Sequence, residues 1–336
     1  MPEPVDIPSL TTGSRIQEAF LVLDVEARTT ADGNPYTVLV LGNSTGQIST
    51  EPFWIERQDA VAGIRRGHVV QVIGEVSTYR DRPQLKTVSV RLLPDSLVDP
   101  ASLLPSVGAV DRYWETLDGW RRDLRKPRLA KVVSLFYDDD DFRRRYEQCP
   151  ASLRRHHAAI GGLLKHTTEV AAIARTIARA SGADQELVLA GVLLHDIGKL
   201  ESYSWRGLFE YTQVGSLVGH VVLGALMFDR RLRQEPEPPC TEAEREILLH
   251  LILAHHGRME WGSPVSPLTL EAEVLHWADN ASAKTASLAD ALRNAESFPQ
   301  GMFSTPQRRL DYRRLYRGTS DWGLTDGEGE RGKGEG

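Results

Sequence analysis

Two hydrophobic rhythms divide the chain. Up to about residue 95 the apolar positions come in short runs rich in Val, Leu and Thr: AFLVLDVEARTT, PYTVLVLGN, GQISTEPFW, HVVQVIGEVSTYR and LKTVSVRLL. Turn-forming stretches separate them, at Asp32-Gly33-Asn34-Pro35, Gly42-Asn43, Arg66-Gly67 and Asp81-Arg82-Pro83, so the spacing predicts five short strands. Residues 96–111, SLVDPASLLPSVGAVD, mix proline, glycine and serine and read as a linker. From 112 to 155 the pattern turns helical and basic. From Gly161 to about Tyr316 apolar residues recur every three or four positions, which predicts an almost wholly helical stretch, with Gly182, Gly198 and Gly257 as helix stops. Residues 318–336 lack apolar content and read as a disordered tail.

Five strands in so short a span fit a small closed barrel. The non-β stretch ERQDAVAGIRRG falls between the third and fourth strands, where an OB-fold carries its helix. The strand order and the phrase GEVSTYRDRPQLKTVSVR resemble OB-folds that bind single-stranded nucleic acid. Such binding needs aromatics to stack bases and cations to follow the backbone. Tyr36, Phe53, Trp54 and Tyr79, with Arg80, Arg82 and Lys86, are the residues of this segment that fit. The plainer alternative is that the aromatics fill the barrel and the cations sit on a solvated hairpin.

Composition narrows the class. Hydrophobic residues at 41% and charged residues at 26% describe a globular protein, and no apolar run approaches the roughly 20 residues that span a bilayer. The N-terminus MPEPVDIPSL lacks the basic and apolar regions of a secretory signal, and two cysteines, Cys149 and Cys240, suit a reducing cytoplasm. A net charge of −6 argues against a generally basic nucleic-acid binder. The run 112–155 is the local exception, with 12 Lys+Arg against 8 Asp+Glu. A solvated helix face explains it, and a track for a phosphate backbone is the sharper alternative.

The histidines change the picture most. Of ten in the chain, eight lie between 156 and 256. His166 follows Leu163-Leu164, and His195-Asp196 follows Val192-Leu193-Leu194. His220 sits within LVGHVV, His255-His256 follow Leu251-Ile252-Leu253, and Asp279 follows an apolar stripe on the last helix. A single such histidine is usually a satisfied core residue. Burying this many imidazoles and two carboxylates on five successive helices costs several kcal/mol per group unless they share a charge from outside the chain. Imidazole with carboxylate and no thiolate suits Mn, Fe, Co, Ni or Zn ions, and Asp196 has two oxygens with which to bridge two of them.

The order His166, His195-Asp196, His220, His255-His256, Asp279 resembles the HD superfamily of metal-dependent phosphohydrolases, with LLHDIGK as its signature phrase. The further phrases HHAAIGGLLKHT, YTQVGSLVGH and LAHHGRMEWGSPVSPLTLEAEVLHWADNASAK, with the OB-like segment upstream, are similar to the YhaM-type 3′–5′ exoribonucleases, over roughly residues 12–316. Lys165 and Ser282 depart from that pattern where the relatives usually carry acidic residues.

The resemblance implies a site. His166, His195, Asp196 and Asp279 would hold one divalent ion, and Asp196 would bridge to a second held by His220, His255 and His256. Manganese heads the list of ions. Lys199 would steady charge on the phosphate, with an ion pair to a nearby carboxylate as its structural alternative, and His157 would contact substrate or protonate the leaving oxygen.

The fold class expected is therefore multidomain: an N-terminal five-stranded OB barrel (1–95), the linker, an all-α HD domain with a basic helical connector (112–317), and the tail. The activity expected is hydrolysis of single-stranded RNA, or also single-stranded DNA, from the 3′ end to 5′-mononucleotides in the cytoplasm, without a membrane partner. Self-association into a homo-oligomer stays open. Two rivals remain: an HD phosphohydrolase of nucleotides or cyclic dinucleotides, and a non-catalytic nucleic-acid binder with a structural metal.

Overall fold

The computed structural model describes residues 4–80, 82–154, 157–294, 297–299 and 301–318. The tail anticipated at 318–336 lies outside them but for its first residue, as does His156 of the double histidine. Two compact units are formed, Met1–Asn280 and Ala281–Gly336. The barrel and every proposed metal ligand belong to the first.

The five strands are β1 (Arg15–Thr29), β2 (Pro35–Asn43), β3 (Gly46–Thr50), β4 (Val69–Tyr79) and β5 (Arg82–Leu93). They close into a barrel in the order β1-β2-β3-β5-β4, antiparallel throughout except for the β3–β5 pairing. A 3₁₀ segment, Ile55–Val61, occupies the place between β3 and β4 where a helix was expected. Alternation along each strand sends Ile16, Phe20, Leu39, Leu41, Val72 and Leu85 inward. A smaller apolar cluster brings barrel residues Leu21, Val69 and Leu93 against Leu104, Trp205, Leu208 and Phe209, seating the barrel on the helical region.

The basic connector folds as α1 (Asp111–Arg122), α2 (Pro127–Tyr137) and α3 (Asp140–Tyr146). Part of its charge is spent on local pairs: Arg121 and Arg143 both hold Asp118. The helices that follow are α4 (Gly162–Ser181), α5 (Gln185–Leu194), α6 (Lys199–Ser202), α7 (Gln213–Val218), α8 (His220–Arg233), α9 (Glu242–Ala254) and α10 (Leu270–Arg293). Caps fix their starts. Asp184 accepts from Glu186 and Leu187 amides at α5, and Thr241 with Glu244 forms a capping box at α9.

Four details differ from the sequence expectation. The helical region contains a small hairpin, β6 (Tyr203–Ser204) and β7 (Glu210–Tyr211). The run GSLVGHVVLG is two helices, broken at Gly219. The described residues after 294 form turns, a 3₁₀ segment at Arg308–Leu310 and isolated bridges such as Phe303–Tyr316 instead of α-helix. Gly198 stops no helix: its φ is −65° and it opens α6. Its small size answers a different need, because a Cβ there would lie 2.0 Å from the carbonyl oxygen of His220. That close approach brings the segment after Asp196 against the start of α8.

Candidate metal centre

Five helices deliver the polar residues. His166 lies in the second turn of α4, His195 and Asp196 follow the end of α5, and His220 begins α8. His255 and His256 follow the end of α9, and Asp279 lies within α10. The apolar stripe of α5, from Val188 to Leu194, is fully buried and carries His195 and Asp196 into the interior at 0% and 1% exposure.

The main chain aims the imidazoles. His195 Nδ1 lies 2.7 Å from the Val192 carbonyl, and His255 Nδ1 lies 2.7 Å from that of Ile252. His256 Nδ1 makes the same 2.7 Å contact to the Trp261 carbonyl. A carbonyl only accepts, so each Nδ1 carries the proton and each neutral ring presents the Nε2 lone pair to the centre. His276 donates from Nδ1 to the His255 carbonyl at 2.9 Å and fixes that loop. Gly257 (φ +79°) must lack a Cβ here, since one would sit 2.3 Å from the His276 ring.

Asp196 stands in the middle. Its Oδ2 lies 3.1 Å from His195 Nε2 and 3.5 Å from His166 Nε2. Its Oδ1 lies 3.5 Å from His220 Nε2 and 3.8 Å from His255 Nε2. Asp279 Oδ1 is 3.0 Å from His166 Nε2 and 4.0 Å from His195 Nε2. The donors form two trios, His166-His195-Asp196 and His220-His255-His256, whose ligand atoms lie within 4.8 Å of one another.

Among the described residues, His195, His220 and His255 Nε2 and Asp196 Oδ1 are buried without a hydrogen-bond partner. Four converging, unsatisfied polar atoms are costly in a bare interior. They fit a divalent cation. Ligands about 2.1 Å from one ion stand about 3–3.5 Å apart, close to the separations seen.

Burial lowers the pKa of His166, His255 and His256 below the ordinary imidazole value and that of His220 to about 3. For His195 burial acts in the same direction, but the adjacent Asp196 carboxylate outweighs it and the net shift is upward. Burial opposes charge on both carboxylates. Lys199 and His195 nonetheless hold Asp196 well below the carboxylate range, and His166 does the same for Asp279.

Lys199 is buried, and its Nζ donates to Asp196 Oδ2 at 2.5 Å, which is the ion pair weighed as its structural alternative. His157 holds a left-handed backbone (φ 52°), and its Nε2 lies 2.7 Å from Glu169 Oε2. Lys165 lies 3.9 Å from the same Glu169.

On the barrel, Trp54 and Tyr79 are exposed, and Tyr36 is half-buried with its ring 5.0 Å from that of Trp54. Arg80 sits over the Tyr79 ring, and Arg82 and Lys86 are exposed. Phe53 is a correction: at 1% exposure it belongs to the barrel core and has no face for a base.

A cavity of about 790 Å³ opens beside the centre, lined by Lys199, His220 and His256 together with Tyr203, Glu210 and Tyr211. Arg154 and Arg66 complete its basic lining. Arg66 comes from the barrel. It stood in a turn signal of the sequence, and nothing local marked it as a neighbour of the histidines.

Residues 163–284 match the HD domain family. Across the whole chain the protein is similar to the 3′-5′ exoribonuclease YhaM of Bacillus subtilis, 28% identical over 315 residues, covering 91% of this chain and 96% of that one. It is 29% identical over 310 residues to the YhaM exoribonuclease of Shouchella clausii, covering 91% and 94%. Among solved structures, the second OB-fold domain of replication protein A from Methanococcus maripaludis matches 27% of this chain and 95% of its own, at 18% identity and a TM-score of 0.21. That score is too low to carry weight, and the barrel stands on its own strand pairing. No helix among the described residues is long and apolar enough to cross a membrane.

Proposed function

We propose that this chain is a metal-dependent 3′–5′ exonuclease that shortens single-stranded RNA to 5′-mononucleotides, with single-stranded DNA as a second substrate. The observation that carries the reading is the division of Asp196, one oxygen toward each histidine cluster, beside a cavity that His220, His256 and Lys199 share with a barrel arginine. The exoribonuclease relatives, matched over most of both chains, point to the same activity.

In this reading His166, His195, Asp196 and Asp279 would hold one divalent ion, and Asp196, His220, His255 and His256 would hold a second. Manganese is the first candidate, and iron, cobalt, nickel or zinc suit the same donors. Ions held there would supply an activated water and offset charge on the phosphoryl oxygens.

The protein's own groups do the rest. Lys199 keeps Asp196 ionised and sets a positive charge on the cavity wall where the phosphate lies. We assign His157, oriented by Glu169, to protonating the leaving oxygen. Residues 1–95 form the strand-binding domain, with Tyr36, Trp54 and Tyr79 stacking bases and Arg80, Arg82 and Lys86 following phosphates. Residues 112–317 form the catalytic domain. A free nucleotide would have no use for such a platform, which favours a polymer substrate, and the compartment we propose is the cytoplasm.

The test is incubation of purified protein with 5′-end-labelled single-stranded RNA and DNA, with Mn²⁺ or with chelator. A ladder shortening from the 3′ end only with metal is expected. Internal cuts, or hydrolysis of mononucleotides but not of oligomers, would reject the exonuclease in favour of its rivals.

A further inference from the structure

We infer that Arg66, with the Glu210–Tyr211 edge of the small hairpin, forms a subsite for the phosphodiester one step upstream of the bond being cut. This rests on the strand-cutting reading above and goes beyond it, because it locates where the barrel hands the strand to the metal centre. Arg66 precedes β4 in the barrel, yet lines the same cavity as Lys199, His220 and His256. Its guanidinium is held at both ends: Nε donates to the Leu23 carbonyl at 3.0 Å, and an NH₂ group meets Glu210 Oε1 at 3.0 Å.

The two contacts differ in kind. The bond to Leu23 lies within the barrel and sets the direction of the side chain. The pair to Glu210 joins two exposed groups, with side chains 45% and 49% accessible, and such pairs are weakly held in water. A phosphodiester carries the same single negative charge as the Glu210 carboxylate and offers two oxygens to a guanidinium, so an incoming strand can take its place on an arginine already oriented. Beside it, the Tyr211 ring is 55% exposed and braced edge-on by Tyr203 at 5.4 Å, a surface suited to stacking the base attached to that phosphate. The apolar contact of Leu21, Val69 and Leu93 with Leu208 and Phe209 holds barrel and hairpin in register, so the two halves of the subsite keep their spacing.

The subsite acts only on substrates with a second phosphodiester. The test compares a single-stranded RNA decamer with a dinucleotide that contains only the scissile bond, using wild type, Arg66→Ala, Arg66→Lys and Glu210→Gln, each checked for an unchanged melting midpoint. For Arg66→Ala the decamer KM is expected to rise about ten-fold and the decamer-to-dinucleotide efficiency ratio to fall in step. The slope of log KM against log salt should drop by about 0.7, the single-strand value for one phosphate contact. Arg66→Lys should fall between, and Glu210→Gln should lower the decamer KM by freeing the arginine. Equal losses on both substrates, or an unchanged salt slope, would overturn the subsite. So would a decamer KM raised by Glu210→Gln, since the pair would then be a brace between barrel and hairpin. A wild type that cuts the dinucleotide but no strand would overturn the exonuclease reading, and the subsite with it.

Discussion

The barrel and the helical region bury polar groups under opposite conditions. In the barrel, Thr50 Oγ1 accepts from the Leu39 amide at 3.0 Å, Asn43 donates to the Val5 carbonyl at 2.8 Å, and Thr87 is met by Arg57. Every such group has its partner in the chain, so the barrel interior is complete as folded. In the helical region, His195, His255 and Asp196 are as deeply buried, yet His195 Nε2, His255 Nε2 and Asp196 Oδ1 have no hydrogen-bond partner. Clusters of lone pairs and anionic oxygens do not satisfy themselves. The difference separates an interior that folds for its own stability from one that keeps part of its hydrogen-bonding capacity for a cation.

The sharpest way to break this contrast is Asp196→Asn. It keeps the shape but removes the charge shared by both trios, and should reduce metal-dependent RNA hydrolysis by about 10³-fold, measured as initial rates with end-labelled RNA. Within the barrel, Phe53→Ala should cost about 3–5 kcal/mol of stability in denaturant unfolding, as the loss of a buried ring does. The neighbouring Trp54→Ala should leave stability nearly intact and raise the KM for RNA about ten-fold. If the two variants exchanged effects, the assignment of inner and outer aromatics would be inverted.

Chelation and pH probe the helical side. An ion at 100 to 1,000 times its dissociation constant contributes about 2.7–4.1 kcal/mol, so chelator should lower the melting of the helical signal far more than that of the barrel. In the metal-free protein, burial holds His166, His220, His255 and His256 neutral. The unfolded chain takes up protons at these positions below about pH 6.5, which the folded chain resists, so stability falls as the pH drops below that value. His195 has the opposite sign: its contribution is present at low pH and lost as pH rises through its raised value. The depressed Asp196 and Asp279 add a loss only below about pH 4. Four groups against one predict a lower melting midpoint at pH 5.5 than at 7.5, and the reverse order would contradict the burial of neutral imidazoles. The smallest effect is expected at Lys165→Ala. It removes one half-exposed contact to Glu169, should change stability by no more than about 0.5 kcal/mol, and is read by the same melts.

Much of the centre was legible because it violates a pattern. Histidines and aspartates at positions where a helix wants Leu or Val stand out in one dimension, and His166, His195, Asp196, His220, His255, His256 and Asp279 do converge. The five strands were legible for a different reason, short runs rich in Val, Leu and Thr bounded by turn residues. What escaped the sequence depends on distant chain. Phe53 and Trp54 are adjacent and chemically alike, and only strand register decides which one enters the barrel. Gly198 looked like a helix stop, whereas its absent side chain answers to His220, more than twenty residues away. Arg66 read as turn chemistry, since its approach to Glu210 is set by the packing of barrel against hairpin.

In the proposed reading, two divalent ions sharing Asp196 supply the charge missing from the helical interior. Anomalous diffraction from crystals of the Mn²⁺-loaded protein would locate them. Two peaks about 3.5–4 Å apart are expected, one on each side of the Asp196 carboxylate, among His166, His195 and Asp279 and among His220, His255 and His256. No peak beside Asp196 in a fully active, metal-loaded protein would contradict it.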